Sequence, residues 1–469
     1  MSVKDRGREA GQRERALSMN RVLVMTTNTP EGSMAALPQD ISSYGRPAAD
    51  VRIAKWAPTP HPRLGPFGAE CPMSEEESAI VDTLRRFAEN EMRPTGELLD
   101  RMTPEAVVAP DSPLWSFYGK FQELGFTVDL LLGMEPLQRA KIMCLFYEIL
   151  GWGDSGLAIS IGAGTLPRYL ARLFGNDFLA ELCADNIIGC WGITEPDHGS
   201  DTLDPEGNAA HARGSYGRPN CIASLKSDRI VINGQKSAWV SNGPIGQVCI
   251  LYCAADTGAG ADTTHGACVI VPCNSKGVSK GKPLDKLGQR ALPQGEIFFD
   301  NVELGMEHLL AGPDSFQRAV YAIHAEANVL MGACFTGVAQ RAYELAHAYA
   351  HERKQGGQPL VRHQNVVYRL FNMFRRVEAA RAVTRRACEY NMVMTQPALH
   401  AAMMAKVTGT ETAFEVASDA LQMFGGNGVT RAYPMEKLLR DARASMIEDG
   451  CNEILSILGG TALVDPELL

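Results

Sequence analysis

The spacing of apolar residues changes twice along this chain, and that change limits its possible folds more than any other feature. From Met73 the apolar residues recur at helical spacing, and Ser74 followed by acidic residues marks a helix start. Between about residues 187 and 310, short apolar runs alternate with turn residues, as strands do. Four long helical segments follow, at 316–352, 362–394, 398–424 and 433–458. The order predicts an α+β fold with a helical domain, a β domain and an antiparallel helix bundle.

The predicted boundaries follow these changes of pattern. Residues 73–186 form the N-terminal helical domain, 187–312 the middle β domain and 313–469 the C-terminal bundle. Residues 1–72 are charged, aperiodic and Pro-rich at their end, which predicts a mobile arm. Acidic residues in that arm argue against a mitochondrial presequence. Residues 204–219 are expected to form an inserted surface loop.

Two smaller predictions concern local structure. Pro94 is expected to end the first helix, since proline is poorly tolerated inside one. Asn233-Gly234 is expected to be the turn of a hairpin within residues 225–243.

Composition excludes several classes of protein. The 469 residues carry a net charge of -9, so the chain has no basic footprint for nucleic acid. The chain contains no apolar run of about 18 residues or more, so no membrane span is predicted. The 12 cysteines are scattered without CxxC pairs or Cys/His clusters, which favours reduced thiols in the cytoplasm over disulfides or a metal site.

The segment WGITEPDHGSD at residues 191–201 opens the β domain. Thr194 and Ser200 offer hydroxyls, and Gly192 and Gly199 allow close backbone approach, which suits a flat polar ring and its phosphates. Taken alone, the segment is more typical of a plain turn.

Five segments together resemble the acyl-CoA dehydrogenase family of FAD flavoproteins. They are residues 194–201 (TEPDHGSD), 232–243 (INGQKSAWVSNG), 286–302 (KLGQRALPQGEIFFDNV), 352–364 (ERKQGGQPLVRHQ), and 422–428 (QMFGGNG) with Arg440-Asp441 and 449–454 (DGCNEI). Each alone is a weak signal, but all five occur in the family's order and at its spacing across residues 73–458. The resemblance also implies the helical, β, helical order that the periodicity predicts independently.

The resemblance implies a FAD site. Ile193 and Thr194 would hydrogen-bond the flavin ring, Trp239 would cover it, and Ser241 would lie near its N5 atom. Ser200 would lie by the pyrophosphate and the substrate thioester. Other expected cofactor contacts are Trp191, Cys451 and Glu453. For Trp239 the alternative is a strand residue packed in the β core.

Further residues would bind the FAD of a neighbouring subunit. The resemblance places Arg353 at the partner's pyrophosphate and Gln422, Gly425 and Gly426 at its adenosine end, in a homo-oligomer that is typically a tetramer. The alternatives are a solvated cation at a helix end for Arg353 and a helix stop for the glycines.

The family's reaction removes a proton beside the thioester carbonyl of an acyl-CoA and transfers a hydride from the next carbon to the flavin. An acyl-carrier thioester stays open as the alternative substrate. Electrons then pass to an electron-transfer flavoprotein. Many members use a glutamate before a glycine as the base, and Asp449 occupies that position here, with Glu448 in place of an aromatic residue. Gly450 and Ser200 are expected to contact the substrate.

Three interpretations of the base are open. Asp449 can act itself, Glu448 can act with the two carboxyls sharing a proton, or the base lies elsewhere. The candidate elsewhere is Glu326, which is also a candidate substrate contact, one residue before the position that some members use, where this chain has Ala327 beside Asn328. The simpler interpretation of Glu326 is a glutamate on the polar face of its helix.

The chain also departs from the family pattern. Leu292 and Gln294 replace Ser and Thr, and Gln355 and Gly356 replace Thr and Phe. His198 replaces Ala and is expected to be a surface histidine. We expect FAD binding to survive these changes, whereas the substrate pocket need not be standard. Two other functions stay open: a flavin oxidase or oxygenase like nitroalkane oxidase, which uses Asp as its base, and a catalytically silent FAD-binding partner subunit.

Overall fold

The computed structural model describes residues 73–204 and 217–464. The predicted arm, residues 1–72, lies outside the described residues, as does most of the predicted loop at 204–219. In the described part, no helix is both long enough and apolar enough to cross a membrane.

Helices make up the chain before the sheet. They are α1 Glu75–Phe87, α2 Arg93–Arg101, α3 Pro104–Val107, α4 Pro113–Glu123, α5 Val128–Leu132, α6 Pro136–Gly153, α7 Ser155–Leu173 and α8 Asp177–Leu182. The expected start of α1 is a capping box, in which the Ser74 hydroxyl accepts from the Glu77 N–H at 3.1 Å and the Glu77 carboxylate accepts from the Ser74 N–H at 3.0 Å.

The prediction that Pro94 ends the first helix is wrong. A π-helical turn, Ala88–Met92, joins α1 to α2, and Pro94 lies in the first turn of α2. The backbone stays helical through this junction, where the Arg93 N–H donates to the Ala88 carbonyl, so Pro94 follows a π turn and does not end the helical segment.

The middle of the chain forms one sheet in the order β6-β7-β3-β1-β4-β5-β8, with β2 paired to β3 and β4. The strands are β1 Gly189–Gly192, β2 Cys221–Leu225, β3 Arg229–Ser241, β4 Val248–Asp256, β5 Ala261–Pro272, β6 Val278–Lys280, β7 Gln294–Gly305 and β8 Leu309–Ala311. Apolar clusters on both sides of the sheet bury it: one holds Cys249, Leu251 and Val269, the other Ile250, Tyr252 and Phe316.

The prediction of a hairpin turn at Asn233-Gly234 is also wrong, because β3 runs unbroken through this dipeptide. Gly234 has φ +123°, and the pairing of β3 with β7 shifts register there, so the dipeptide forms a bulge. The turn of the hairpin lies between β2 and β3 instead.

After β8 the chain is helical, with a two-stranded ribbon between the first two helices. The elements are α9 Phe316–Glu352, β9 Lys354–Gln355, β10 Gln358–Pro359, α10 Gln364–Val393, α11 Leu399–Phe424, α12 Met435–Ser445 and α13 Asn452–Thr461. The predicted helix at 433–458 is therefore two helices. The break falls where Asp449 and Gly450 have φ of +54° and +84°, which no α-helix contains. With these differences, the predicted α+β fold is confirmed.

The N-terminal helices pack on the bundle through direct backbone contact between α6 and α9. A Cβ atom added at Gly337 would lie 1.9 Å from the carbonyl oxygen of Glu148, and one added at Gly151 would lie 1.9 Å from that of Cys334. Only glycine fits at these two positions. The crossing brings the buried Glu148 carboxylate against Arg381 of α10 at 2.8 Å, so an ion pair forms inside the helical core.

Candidate active site

A cavity of about 720 Å³ lies where the sheet meets the bundle. Predicted site residues from three separate parts of the sequence line it: Trp191, Ile193, Thr194, Ser200, Trp239, Ser241, Glu448, Asp449 and Gly450. The volume is typical of a cofactor or substrate site.

The loop that follows β1 is held in place by the buried ammonium group of Lys236. Lys236 of β3 donates to the Ile193 carbonyl at 3.0 Å and to the Glu195 carboxylate. The prediction of a surface His198 is wrong: the ring is buried and pairs with the Asp201 carboxylate at 2.8 Å. A loop held this way presents its backbone and hydroxyl groups in fixed positions.

The cavity wall fits a flat polar ligand. Trp239 leaves 57 % of its surface exposed at the cavity, which argues against the alternative of a packed core residue. The Trp191 Nε1 and Ser237 Oγ atoms, in residues that also line the cavity, are buried without hydrogen-bond partners in the described part of the chain. Unpaired buried polar atoms are rare in proteins, so these two indicate a ligand that completes their hydrogen bonding.

The loop between α12 and α13 carries both candidate bases. Asn328 of α9 donates to the Asp449 carboxylate at 2.7 Å and to the Asp449 carbonyl at 3.0 Å. The second carboxylate oxygen of Asp449 is buried and has no partner among the described residues. Glu448 instead accepts a hydrogen bond from the Gln289 side chain.

This loop is fixed in place at two further points. Lys406 of α11 donates to the Gly450 carbonyl at 2.7 Å and to the Asn452 side chain at 2.8 Å. The Cys451 N–H donates to the Ser200 hydroxyl at 2.9 Å, which joins the loop to the β domain. Ser200 therefore has a structural contact besides its expected role at the ligand.

Burial raises the pKa of both acids. It raises the pKa of Asp449 to about 6, against the opposing effects of the Asn328 hydrogen bond and the Lys406 charge. It raises the pKa of Glu448 to about 7, opposed first by the Gln289 hydrogen bond. Carboxyl groups that titrate near neutral pH suit proton transfer.

A second, smaller cavity of about 150 Å³ lies on the other side of these two acids. Its wall is mostly apolar and comes largely from α6, α7 and α9. Glu448 and Asp449 line both cavities, so they stand where the two spaces meet. Glu326 also lines the smaller cavity, which contradicts its interpretation as a glutamate on a polar helix face.

The structure does not bring every predicted residue to the site. Arg353, Gln422, Gly425 and Gly426 are exposed and line neither cavity. Cys451 and Glu453 follow the acids in sequence but also line neither cavity.

Sequence reasoning also missed residues that hold the site. Asn328 and Lys406 fix the Asp449–Gly450 turn, and Gln289 and Lys286 face Glu448 from the segment before β7. Gln294, noted only as a departure from the family pattern, bonds both Ser241, at 3.3 Å, and Lys286, at 2.8 Å. The sequence held one signal for Asn328, because its side-chain amide follows Ala327, the position at which some family members have the base.

The fold and the site together define a protein with a cofactor-sized cleft between a sheet and a helix bundle. Two family models match the chain: "Acyl-CoA dehydrogenase, middle domain" at residues 190–302 and "Acyl-CoA dehydrogenase, C-terminal domain" at residues 316–463. The chain belongs to the acyl-CoA dehydrogenase family.

Relatives agree with this assignment over most of the chain. The probable acyl-CoA dehydrogenase YngJ of Bacillus subtilis is 27% identical, over 81% of this chain and 96% of its own. Benzylmalonyl-CoA dehydrogenase of Aromatoleum aromaticum is 28% identical, over 82% and 97%. Among solved structures, a glutaryl-CoA dehydrogenase from Mycobacterium smegmatis in complex with FADH2 has a TM-score of 0.71 at 22% identity, covering 86% of this chain and 98% of that one.

Proposed function

We propose that this chain is a FAD-dependent dehydrogenase that introduces a double bond between the α- and β-carbons of an acyl-CoA, with Asp449 as the base. The observation that carries the proposal is the Asp449 carboxylate itself. One oxygen is held by Asn328 at 2.7 Å, and the other is buried, unpaired within the described chain, and part of a wall shared by both cavities.

The chemistry of the first step follows from this arrangement. The proton beside a thioester carbonyl is weakly acidic, so its removal needs a carboxylate that is ionised yet poorly solvated. Because burial raises the pKa of Asp449 to about 6, the group is mostly ionised at pH 7 and is a stronger base than an exposed aspartate. The unpaired oxygen is the one that accepts the proton.

Glu448 supports this role. The Gln289 side chain donates a hydrogen bond to its carboxylate, and the charges of Lys286 and Lys406 lower its pKa. Neither oxygen of Glu448 is buried and unpaired within the described chain, whereas one oxygen of Asp449 is. We assign Glu448 to the electrostatics of the site, because its carboxyl group is held by Gln289 and the Asp449 charge beside it helps to raise its pKa.

The larger cavity would hold the flavin of FAD. Trp239 would cover the ring, Ile193 and Thr194 would pair with its polar edge, Ser241 would lie beside it, and Trp191 would donate from its unpaired ring nitrogen. When bound, FAD takes up the two electrons and the hydrogen that leave the β-carbon. Ser200 and Gly450, at the junction with the acid loop, would contact the thioester.

The proposal extends to assembly. Arg353, Gln422, Gly425 and Gly426 are exposed away from the cavity, as expected of residues that serve the FAD of a neighbouring subunit. We therefore propose a homo-oligomer, with a tetramer as the family pattern, and an electron-transfer flavoprotein as the acceptor. The 11 cysteines in the described part are free thiols, which fits the cytoplasm.

The test is anaerobic flavin bleaching of the FAD-loaded protein by a panel of acyl-CoAs. We expect one class of thioester to bleach the wild type, and Asp449→Asn to slow bleaching by about 100- to 10,000-fold while it retains FAD. Glu448→Gln is the matched control and should keep most of the activity. Bleaching that persists in Asp449→Asn and disappears in Glu448→Gln would move the base to Glu448. Oxygen consumption without an added acceptor would identify an oxidase.

A further inference from the structure

The smaller cavity contains a carboxylate for which the proposed reaction has no use. Most of its wall is apolar, with Val128, Leu131, Ile159, Leu166, Ile323 and Leu330 among the lining residues. Glu326 of α9 interrupts this wall. A carboxyl group in such surroundings costs free energy unless a partner compensates it.

Within the described chain that compensation is incomplete. The Oε2 atom of Glu326 is buried and has no hydrogen-bond partner among the described residues. Burial raises the pKa of Glu326, and the Tyr169 hydroxyl and the Arg139 charge oppose this rise only in part. An acceptor atom in the wall of a cavity, buried and unpaired, indicates a donor that arrives with the ligand.

Glu326 and Asp449 serve different parts of the cavity. Asp449 interacts with Asn328 and Lys406, whereas Glu326 interacts with Tyr169 of α7 and Arg139 of α6. Glu326 and Asn328 leave α9 about 200° apart around the helix axis, so Glu326 does not share the direction from which Asn328 holds the base. The carboxylate of Glu326 thus lies on the side of the cavity that α6 and α7 form.

The size of the cavity limits the acyl group. A cavity of about 150 Å³ holds a molecule of roughly the size of benzene. A ring or a short chain is therefore enough to fill it.

We propose that Glu326 is a specificity-determining residue that selects a short or ring-bearing acyl group carrying a hydrogen-bond donor, a hydroxyl or an amino group. This inference rests on the proposed dehydrogenase function and names its substrate class. An acyl chain that ends in a carboxylate would meet the acceptor groups of Glu326, Glu448 and Asp449 and bring no donor for them, so it should bind less well than a chain with a hydroxyl or amino group.

The experiment compares pentanoyl-CoA with its 4-hydroxy and 5-hydroxy derivatives and with glutaryl-CoA. Equilibrium binding is followed by the flavin absorbance of the FAD-loaded Asp449→Asn protein, which separates binding from turnover. Bleaching rates are measured in parallel with Asp449 intact. The variants are Glu326→Leu, which removes the acceptor at similar volume, and Glu326→Gln, which keeps one acceptor oxygen without the charge.

We expect one of the hydroxylated thioesters to bind about 10- to 100-fold more tightly than pentanoyl-CoA, the range for a hydrogen bond to a charged group. Glu326→Leu should remove this preference and improve binding of pentanoyl-CoA, whereas Glu326→Gln should keep part of it. Because Glu326 is proposed to act on binding, either variant should change the dissociation constant more than the bleaching rate at saturation. Glutaryl-CoA should bind weakly to the wild type and better to both variants.

Two results would overturn the inference. One is a hydroxyl preference that is absent in the wild type or unchanged in Glu326→Leu. The other is loss of bleaching at saturation with every thioester in both Glu326 variants, which would make Glu326 the base. Thioesters that bind but never bleach the wild type would instead contradict the proposed dehydrogenation, so the two failures are distinguishable.

Discussion

Replacing Asn328 tests whether Asp449 sets the pH dependence of this protein. Asn328 donates to the Asp449 carboxylate at 2.7 Å, and this bond stabilises the ionised form and so lowers the pKa. In Asn328→Leu, which is similar in volume, the donor is gone while burial stays. The pKa of Asp449 should therefore rise.

The size of the rise can be worked out from the contact. A hydrogen bond to a charged group contributes about 1.5–3 kcal/mol, and one pKa unit corresponds to about 1.4 kcal/mol. The rise is thus about one to two units. Because Asp449 must be ionised to accept a proton, kcat/KM should fall on the acid side of its pKa. The midpoint of that fall, about pH 6 in the wild type, should move to about pH 7–8.

The assay is kcat/KM for acyl-CoA-dependent dye reduction from pH 5 to pH 9. Gln289→Met is the matched control, because it removes the hydrogen bond to Glu448 and leaves that to Asp449 intact. If the midpoint moves in Gln289→Met and stays in Asn328→Leu, Glu448 is the titrating base and the reasoning is refuted. If neither variant moves it, neither acid controls the rate.

Three further predictions concern packing, charge and the cofactor. Gly337→Ala should lower the free energy of unfolding by about 3 kcal/mol in chemical denaturation, because the added Cβ would lie 1.9 Å from a carbonyl oxygen. Gly119→Ala, which has open space around the added Cβ, should raise the free energy of unfolding by about 0.5–1 kcal/mol. Glu148→Gln removes the buried carboxylate that both Arg381 and Arg385 contact and should cost about 3–5 kcal/mol. Glu91→Gln, in an exposed ion pair, should cost under about 1 kcal/mol. Trp239→Ala should leave the thermal stability of the FAD-free protein unchanged, since the ring is largely exposed, while it weakens FAD retention during gel filtration. An unaltered FAD content in that variant would contradict the assignment of the ring to the cofactor.

Periodicity predicted the long elements well, because each buries a continuous apolar face. The predicted limits of α9, 316–352, match the observed helix, and 398–424 differs from α11 by one residue. The failures are positions where backbone conformation overrides the pattern. At Asn233-Gly234, β3 continues through a bulge. An Asn-Gly dipeptide can form either a bulge or a hairpin turn, so the sequence alone does not distinguish the two.

The sequence predicted those site residues that belong to a motif. It missed those whose role depends on a contact between distant parts of the chain. Thr194 and Trp239 lie at the cavity as the resemblance implies. The bond from Asn328 to Asp449 joins residues 121 positions apart, so no local pattern contains it. For Glu326 the sequence left two interpretations open, a base or substrate contact and a glutamate on a polar helix face, because spacing does not reveal that side chains of α6 and α7 line the same cavity.

The turn that carries Asp449 also has a consequence for how the protein matures. Three distant parts of the chain fix it: Ser200 beside the sheet, Asn328 on α9 and Lys406 on α11. During refolding, helix content can return before the sheet has docked on the bundle, but the base then still lacks one of its supports. Turnover should therefore recover later than circular dichroism, because it requires the sheet to be joined to the bundle as well as bound FAD.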